Sequence, residues 1–388
     1  MLAAALALGV IAGPAGAQPA APTKPAQTPA EVIPAASEVH QAIERGVAFL
    51  LGEQLENGSW GGVKNATFTS GFANPATYHC WTVGTTALVV QSLFELSNTD
   101  ESNRAIERGL DFLIANADLK RPAEWDLDNN WGLVYGVRTL ARALRDDRIR
   151  GTEREARVRE AALTMLSGLY KYQSALGGWG YYANPSAAWR PDWATSFMTG
   201  VAVIGLLEAK EAGLPVDEKV LRAGVRAILR CRQPNGAYLY SVDATPRHLR
   251  SESINQVKGS LGRIQVCNYA LLRAGVDIPA DELEAGVAEF FKHHKFLDVA
   301  RNKPIPHEAY YANAAYFYLF GHYYAAFSIN ALPEGAREKW AKKLREPILK
   351  TQQKDGSMWD FWIANTTKSS GTAMGIMALA RTLIGEDE

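Results

Sequence analysis

Hydrophobic positions follow two alternating patterns along this chain. In the first, apolar residues recur at helical spacing on one side only, as at Val39, Ile43, Val47 and Leu50, while Glu44 faces elsewhere. This one-sided pattern predicts a helix at the surface. In the second, as in the stretch "GTTALVVQSLFEL", apolar residues cover nearly the whole circumference. That pattern predicts a helix that is buried on all sides.

The turns between these segments return at a regular interval. Gln54, Gln173, Gln233 and Gln353 are separated by 119, 60 and 120 residues, close to multiples of 60. Such a period is typical of repeat architectures, and a closed ring removes the exposed ends that an open array must cap. We therefore predict an all-α fold, an α/α toroid of six helical hairpins, with inner and outer rings of six helices each.

Each turn combines a glutamine, a glycine and a large side chain. The glycine allows the backbone angles of a tight turn, and the glutamine amide can bond backbone groups left unpaired at a helix end. The large side chain then covers apolar area between neighbouring hairpins. We interpret these residues as structural; the large side chains are Trp60, Trp179, Tyr238 and Trp359.

The first copy of this turn resembles the QW motif of squalene and oxidosqualene cyclases. The matching residues are Arg45, Gly46, Phe49, Leu50, Gln54, Gly58 and Trp60. The chain thus resembles the terpenoid cyclase and protein prenyltransferase toroid superfamily, as a prenyltransferase and squalene oxidase repeat protein. The resemblance covers about 350 residues, and it implies an aromatic central cavity and chemistry on a hydrophobic substrate.

The resemblance also implies an acidic Asp-x-Asp-Asp motif followed by Thr-Ala. Thr86 and Ala87 match the Thr-Ala pair, but no acid stands in positions 82–85. Asp126 and Asp128 are the nearest remnant, before the second enclosed helix. One of two neighbouring carboxyl groups can have its pKa raised and act as an acid, although the same residues also suit a turn and a helix cap.

Protein prenyltransferases hold zinc with an Asp-x-Cys pair, which this chain lacks. We therefore expect no metal and no cofactor. Three cysteines cannot form a disulfide framework, and we expect Cys80, Cys231 and Cys267 to be buried thiols.

The segments that lead into the enclosed helices should meet at one mouth of the central cavity, and they are rich in aromatic and charged residues. Arg263 lies on an enclosed helix, where a cation without a partner is costly, so it should pair with an acid or bind an anionic ligand. The candidate catalytic residues are Asp126, Asp128, Asp192, His307 and Glu308. The candidate substrate-binding residues are Tyr78, His79, Trp81, Trp131, Trp193, Arg263, Tyr311, His322, Tyr323 and Asp360.

Three functions remain open at this stage. The aromatic rings could surround a carbocation, as in a cyclase that acts as an isomerase, lyase or transferase. They could instead stack on sugars, with a carboxylate pair cutting a polysaccharide. They could also be core residues of a non-catalytic binding or scaffold protein. We expect a small-molecule or glycan ligand in the central cavity, and whether the protein is an enzyme stays open.

The net charge and the N-terminal region bear on the partners and the cellular location of the protein. Lysine plus arginine equals aspartate plus glutamate, at 41 each, so no net field favours nucleic acid. Residues 1–17 resemble a secretory signal peptide that ends at Ala17, and the Pro/Ala-rich residues 18–36 read as a linker before the toroid domain, residues 37–388. No later segment is apolar over a membrane-spanning length. We expect a secreted or periplasmic protein.

Overall fold

A computed structural model describes residues 33–61, 75–120, 129–181, 193–242, 252–361 and 367–385. Ile33–Glu388 form one compact unit. The described residues form α-helices, short 3-10 turns and isolated β-bridges. The predicted all-α class is confirmed.

The enclosed segments form an inner ring of six helices. Each packs against the next in chain order, and the last packs against the first, which closes the ring. The inner helices are α2 (Pro75–Leu96), α4 (Asn129–Ala143), α6 (Ser196–Glu211), α8 (Leu261–Arg273), α11 (Phe317–Asn330) and α13 (Thr367–Arg381).

The one-sided segments form the outer layer, one outer helix for each inner helix. The first outer helix contacts the last, so the outer layer also meets at the seam. The outer helices are α1 (Ala36–Gly52), α3 (Asp100–Ala115), α5 (Glu153–Tyr172), α7 (Glu218–Cys231), α9 (Ala280–Lys292) and α12 (Glu334–Leu349). A short additional helix, α10 (Lys295–Arg301), lies between α9 and α11 in the chain. The predicted six-hairpin toroid is confirmed.

The repeated glutamine joins neighbouring hairpins. Gln54 Nε2 donates to the carbonyl of Gly58 in its own turn at 3.0 Å and to the carbonyl of Ala105 on α3 at 2.9 Å. Gln173 does the same with Gly177 at 2.8 Å and Val220 on α7 at 2.9 Å. The amide thus bonds the turn of one hairpin to the outer helix of the next.

In the last copy of the turn, the sequence prediction is wrong by one residue. The bridging residue is Gln352 and not Gln353: its Nε2 donates to Gly356 at 3.0 Å and to Ala42 of α1 at 2.8 Å. This bond joins the sixth hairpin to the first at the seam of the ring. The turn of the fourth hairpin, at Gln233, departs further from this pattern. Among the described residues Gln233 makes no bond to the next outer helix, and Arg232 instead forms an ion pair with Glu282.

The large residue that follows each turn is also shifted in the last copy. Trp60 and Trp179 are fully buried, and their indole nitrogens donate to Leu50 and Leu169 carbonyls at 2.6 and 2.8 Å. Met358 holds the equivalent buried position, whereas Trp359 is only partly buried. The interpretation of Trp359 as the packing residue is therefore wrong, and the smaller Met358 fills that place.

A threonine on the inner helix holds each of these positions. The hydroxyls of Thr86, Thr199 and Thr372 accept hydrogen bonds from the backbone N–H of Trp60, Trp179 and Met358 at 2.8–3.0 Å. Thr86 therefore has a structural role that recurs in three hairpins, and the Thr86-Ala87 pair needs no acidic motif to explain it.

All three cysteines are buried free thiols, as expected. Among the described helices, none combines the length and the hydropathy that crossing a bilayer would require.

Candidate functional site

Aromatic side chains from the starts of the inner helices meet around the axis of the toroid. The indole of Trp131 on α4 lies 6.2 Å from the Phe320 ring on α11, and the Phe197 ring on α6 lies 5.2 Å from Phe317. Aromatic side chains from three different inner helices are thus in contact across the toroid. We call this set the aromatic mouth; it comprises Trp131, Tyr181, Trp193, Phe197, Tyr240, Phe317 and Phe320.

The aromatic mouth has a dry floor and a more polar rim. Phe197, Phe317 and Phe320 are buried, with at most 8% of their surface exposed. Trp131, Trp193, Tyr181 and Tyr240 are partly exposed. The mouth therefore combines a buried apolar floor with partly exposed Trp and Tyr side chains around it.

Below this floor, a buried charged layer crosses the axis. Arg138 on α4 binds Glu208 on α6 through two bonds of 2.9 and 3.0 Å, and its Nη1 donates to the Tyr324 hydroxyl on α11 at 3.0 Å. Tyr323 lies 3.5 Å from Nη2 of the same arginine. Burial alone would lower the pKa of Arg138, but Glu208 and the two phenols raise it well above its usual value.

This charged layer, here called the Arg138 layer, escaped the sequence interpretation apart from Tyr323. A signal did exist, since Arg138 is the one charged residue in the enclosed stretch "GLVYGVRTLA". A buried charge of this kind requires a partner. Which residue supplies the partner depends on the neighbouring helix, 70 residues away in the chain.

His307 projects its ring among these aromatic residues. Its ring centre is 5.8 Å from that of Tyr240 and 6.2 Å from that of Phe317. Nδ1 lies 2.7 Å from the Ala312 carbonyl, which can only accept, so Nδ1 carries a proton. In the neutral ring Nε2 then accepts a hydrogen bond from the Tyr316 hydroxyl at 3.1 Å. Burial lowers the pKa of His307, and the nearby charge of Arg263 lowers it further.

The loop that carries His307 has an unusual backbone. His307, Tyr311 and Ala312 have φ values of 65°, 59° and 52°, in the left-handed region that side chains other than glycine rarely adopt. Such conformations persist when surrounding contacts enforce them, and they concentrate at functional sites. Glu308, the predicted partner of His307, is exposed and lies 4.0 Å from Lys303 instead. The two side chains thus have different partners, and their catalytic assignment stays a prediction.

Arg263 lies in the first turn of α8, beside the aromatic mouth. It is 3% exposed, and its guanidinium carbon lies 5.3 Å from the centre of the Tyr240 ring. Nε donates to the Tyr238 carbonyl at 3.3 Å, and Nη2 donates to the Ile254 carbonyl. Burial lowers the pKa of Arg263 to about 10.

Asp360 occupies a repeat position that is aromatic in two other hairpins. It stands two residues after the packing residue Met358, as Tyr181 follows Trp179 and Tyr240 follows Tyr238. Its Oδ2 accepts the backbone N–H of Leu319 in the first turn of α11 at 2.9 Å. Burial raises the pKa of Asp360 to about 6, although the Leu319 hydrogen bond opposes that change.

Several predicted binding residues lie away from the aromatic mouth. His79 is exposed, and its ring faces Phe112 on the outer helix α3. His322 is buried towards α9 and α10, with Nε2 2.9 Å from His294 Nε2. Tyr311 accepts a hydrogen bond from Lys258 at 3.3 Å.

The remaining predictions divide into two groups. Tyr78 and Trp81, near the start of α2, are partly buried and lie edge to face at 5.5 Å. Asp126, Asp128 and Asp192 lie outside the described residues, so their catalytic assignment stays a prediction.

Solved structures of low sequence identity share this fold. An inactive variant of an α-1,6-mannanase from Salegentibacter, in complex with α-1,6-mannotetrose, overlaps with a TM-score of 0.57 at 13% identity, covering 88% of this chain and 99% of that one. A possible member of the GH105 family from Klebsiella pneumoniae overlaps at 0.54 and 12% identity, covering 96% and 100%. The type II terpene cyclase MstE from Scytonema overlaps with a TM-score of 0.48 at 14% identity, covering 89% of this chain and 98% of that one.

Sequence comparison is more specific than this likeness of fold. No curated protein matches the chain. The model of the squalene-hopene cyclase C-terminal domain matches residues 32–243, which is more than half of the 388 residues. With its six-hairpin toroid and aromatic axis, the chain belongs to the squalene-hopene cyclase C-terminal domain family.

Proposed function

We propose that this protein is a terpenoid-cyclase-like toroid that takes a largely apolar ligand into the aromatic mouth and acts on it as an isomerase, lyase or transferase. The observation that carries this proposal is the floor formed by Phe197, Phe317 and Phe320, which brings three buried phenyl rings together at the axis. Phenyl faces attract a developing cation by about 1 kcal/mol or more per ring when water is excluded.

The acid for such chemistry would come from the carboxylates that precede the inner helices. Asp126 and Asp128 come shortly before α4 in the sequence, and Asp192 directly precedes Trp193 of the aromatic mouth. We propose one of these three as the proton donor. His307, with its lowered pKa, is neutral near pH 7 and supplies a base or a hydrogen-bond partner at the rim.

The test is incubation of the purified protein with squalene, polyprenyl diphosphates and a panel of glycans, with products analysed by mass spectrometry. We expect conversion or binding of an isoprenoid. We also expect Phe320→Ala and Trp131→Ala to weaken isoprenoid binding at least tenfold each, because each removes roughly 1.5–3 kcal/mol of apolar contact. Quenching of tryptophan fluorescence measures that binding.

A matched control is Tyr310→Ala. Tyr310 is an aromatic residue 71% exposed on the loop that carries His307, and it lies outside the aromatic mouth. Its replacement should leave isoprenoid binding unchanged. Products from glycans alone would overturn the proposal.

A second candidate function is action on a polysaccharide or non-catalytic binding of a glycan. The partly exposed indoles of Trp131 and Trp193 at the rim favour it, since such rings stack on sugars. Binding of neutral oligosaccharides that is lost in Trp193→Ala and retained in Phe320→Ala would support this alternative.

We also propose that the protein is exported. The support is the apolar segment "MLAAALALGVIAGPAGAQ", with its Ala-x-Ala ending at Ala17, followed by the Pro/Ala-rich residues 18–36. N-terminal sequencing of the mature protein from its native host should begin at Gln18. A mature chain that begins at Met1 would contradict this proposal.

A further inference from the structure

A buried cation with no carboxylate partner among the described residues lies at the edge of the aromatic mouth. Only 3% of the surface of Arg263 is exposed. Within the described part of the chain, no carboxylate lies close enough to form an ion pair with it. This distinguishes it from Arg138, which is equally enclosed but bound twice by Glu208. A guanidinium removed from water without an opposing charge is costly, so folds usually provide that charge.

The bonds that Arg263 does make leave part of the guanidinium available. Nε and Nη2 donate to the carbonyls of Tyr238 and Ile254, while Nη1 makes no hydrogen bond within the described residues. These two bonds fix the plane of the group. A planar guanidinium held in place is suited to donate to the oxygen atoms of a carboxylate or a phosphate.

The surroundings of Arg263 favour an anion. It lies in the first turn of α8, where backbone N–H groups carry partial positive charge. The starts of α4, α6 and α11 lie at the same mouth, as the contacts among Trp131, Phe197 and Phe320 show. The helix terminus and the buried arginine are independent features, and both favour negative charge at this point.

We propose that the ligand of the aromatic mouth carries an anionic group, a phosphate or a carboxylate, which Arg263 binds through Nη1 while the apolar part of the ligand lies on the phenylalanine floor. This inference rests on the proposed function for the apolar part only. It narrows the substrate class from a hydrocarbon to an amphiphile with an acidic head.

The test measures the affinity of the full chain for farnesyl diphosphate, farnesoic acid and farnesol by titration calorimetry, with inorganic diphosphate as a tail-free probe. We expect at least one anionic ligand to bind about tenfold or more tightly than farnesol. The comparison of diphosphate with carboxylate identifies the head group. Arg263→Gln should abolish the preference, so that the anionic ligands bind no more tightly than farnesol, whereas Arg263→Lys should retain part of it.

Arg345→Gln is the matched control. Arg345 is 2% exposed and donates to the carbonyls of Pro34 and Thr382, away from the mouth, so its loss has a similar folding cost without a role in the ligand site. Circular dichroism verifies that each variant is folded. If Arg263→Gln keeps the preference of the wild type, or if the wild type shows none for any anionic probe, the inference is wrong. Binding of inorganic diphosphate that depends on Arg263, without binding of any farnesyl compound, would support the anion site and contradict the apolar ligand.

Discussion

At the scale of single residues, this toroid holds ionisable groups where burial changes their proton affinity. Asp360 and His322 are both buried on or beside α11, and burial shifts their pKa values in opposite directions. Each shift favours the uncharged form, because desolvation penalises the charge. The two residues therefore give stability opposite dependences on pH.

Replacing Asp360 with asparagine should remove one of these dependences. The folded protein holds the proton of Asp360 up to about pH 6, against an ordinary value of 3.8, so the stabilising contribution is lost as the pH rises through 6. Relative to the wild type, Asp360→Asn should gain ~1.4 kcal/mol of unfolding free energy between pH 5 and pH 7.5. Urea unfolding at the two pH values measures this. Parallel pH curves for the two proteins would show that Asp360 is not the titrating group.

His322 should give the opposite slope. Burial, and then the neighbouring His294, hold its pKa well below 6.5, so the unfolded chain takes up a proton first as the pH falls. Its contribution is complete above pH 6.5 and decreases below that. His322→Gln should make the loss of stability on acidification shallower by up to about 1.4 kcal/mol per pH unit. Urea unfolding across this pH range measures the slope, and an unchanged slope in His322→Gln would show that His322 is not the titrating group.

At the scale of elements, the turn after each outer helix determines how closely hairpins approach. A Cβ added to Gly356 would lie 2.4 Å from the Arg45 carbonyl of α1, whereas at Gly236 it would meet open space. Both glycines have positive φ, 88° and 80°. The two positions therefore share the backbone requirement and differ in the contact with the next hairpin.

The pair Gly356→Ala and Gly236→Ala separates these effects. Both variants should lose about 1 kcal/mol from left-handed strain. Gly356→Ala should lose roughly 1–3 kcal/mol more, because α1 must move away from the turn. Denaturant unfolding gives both values. Equal losses would mean that the turn at Gly356 does not press on α1 in solution.

At the scale of the whole molecule, the ring closes through the same device that joins its interior hairpins. Gln352 bonds Ala42 across the seam as Gln173 bonds Val220 between the third and fourth hairpins. The inner helices α13 and α2 also pack together there. The contact between the last and the first hairpin thus uses the same type of bond as a contact inside the ring.

Gln352→Ala and Gln173→Ala should therefore cost similar amounts. Each removes two side-chain hydrogen bonds to backbone carbonyls, worth about 1–3 kcal/mol in total. Gln352→Ala also removes the exposed bond that its Oε1 accepts from Arg45, which adds little. Chemical denaturation monitored by tryptophan fluorescence measures both. A silent Gln352→Ala beside a destabilising Gln173→Ala would indicate that the ring opens at its seam in solution.

The repeat pattern explains how much of the fold could be predicted from the sequence. Period and pattern place the six hairpins because every copy must bury one helix and expose the other. The register of degenerate copies is less secure, since Gln352 and Gln353 are adjacent and only the contact with Ala42 distinguishes them. The positions of His322 and His79 were uncertain for a similar reason. Their helices were predicted, but the direction in which each imidazole ring points depends on how the helix packs against its neighbours.

By itself, the sequence determined the architecture of this protein: alternating one-sided and enclosed helices, and turns with a 60-residue period. These are local properties, because hydrophobic spacing and turn chemistry act within a few residues. Only the tertiary structure decided which side chains meet. The pairing of Arg138 with Glu208, the lack of a carboxylate near Arg263 among the described residues, and the buried place of Asp360 each join distant parts of the chain. Such contacts follow from how the ring closes, and no spacing along the chain encodes them.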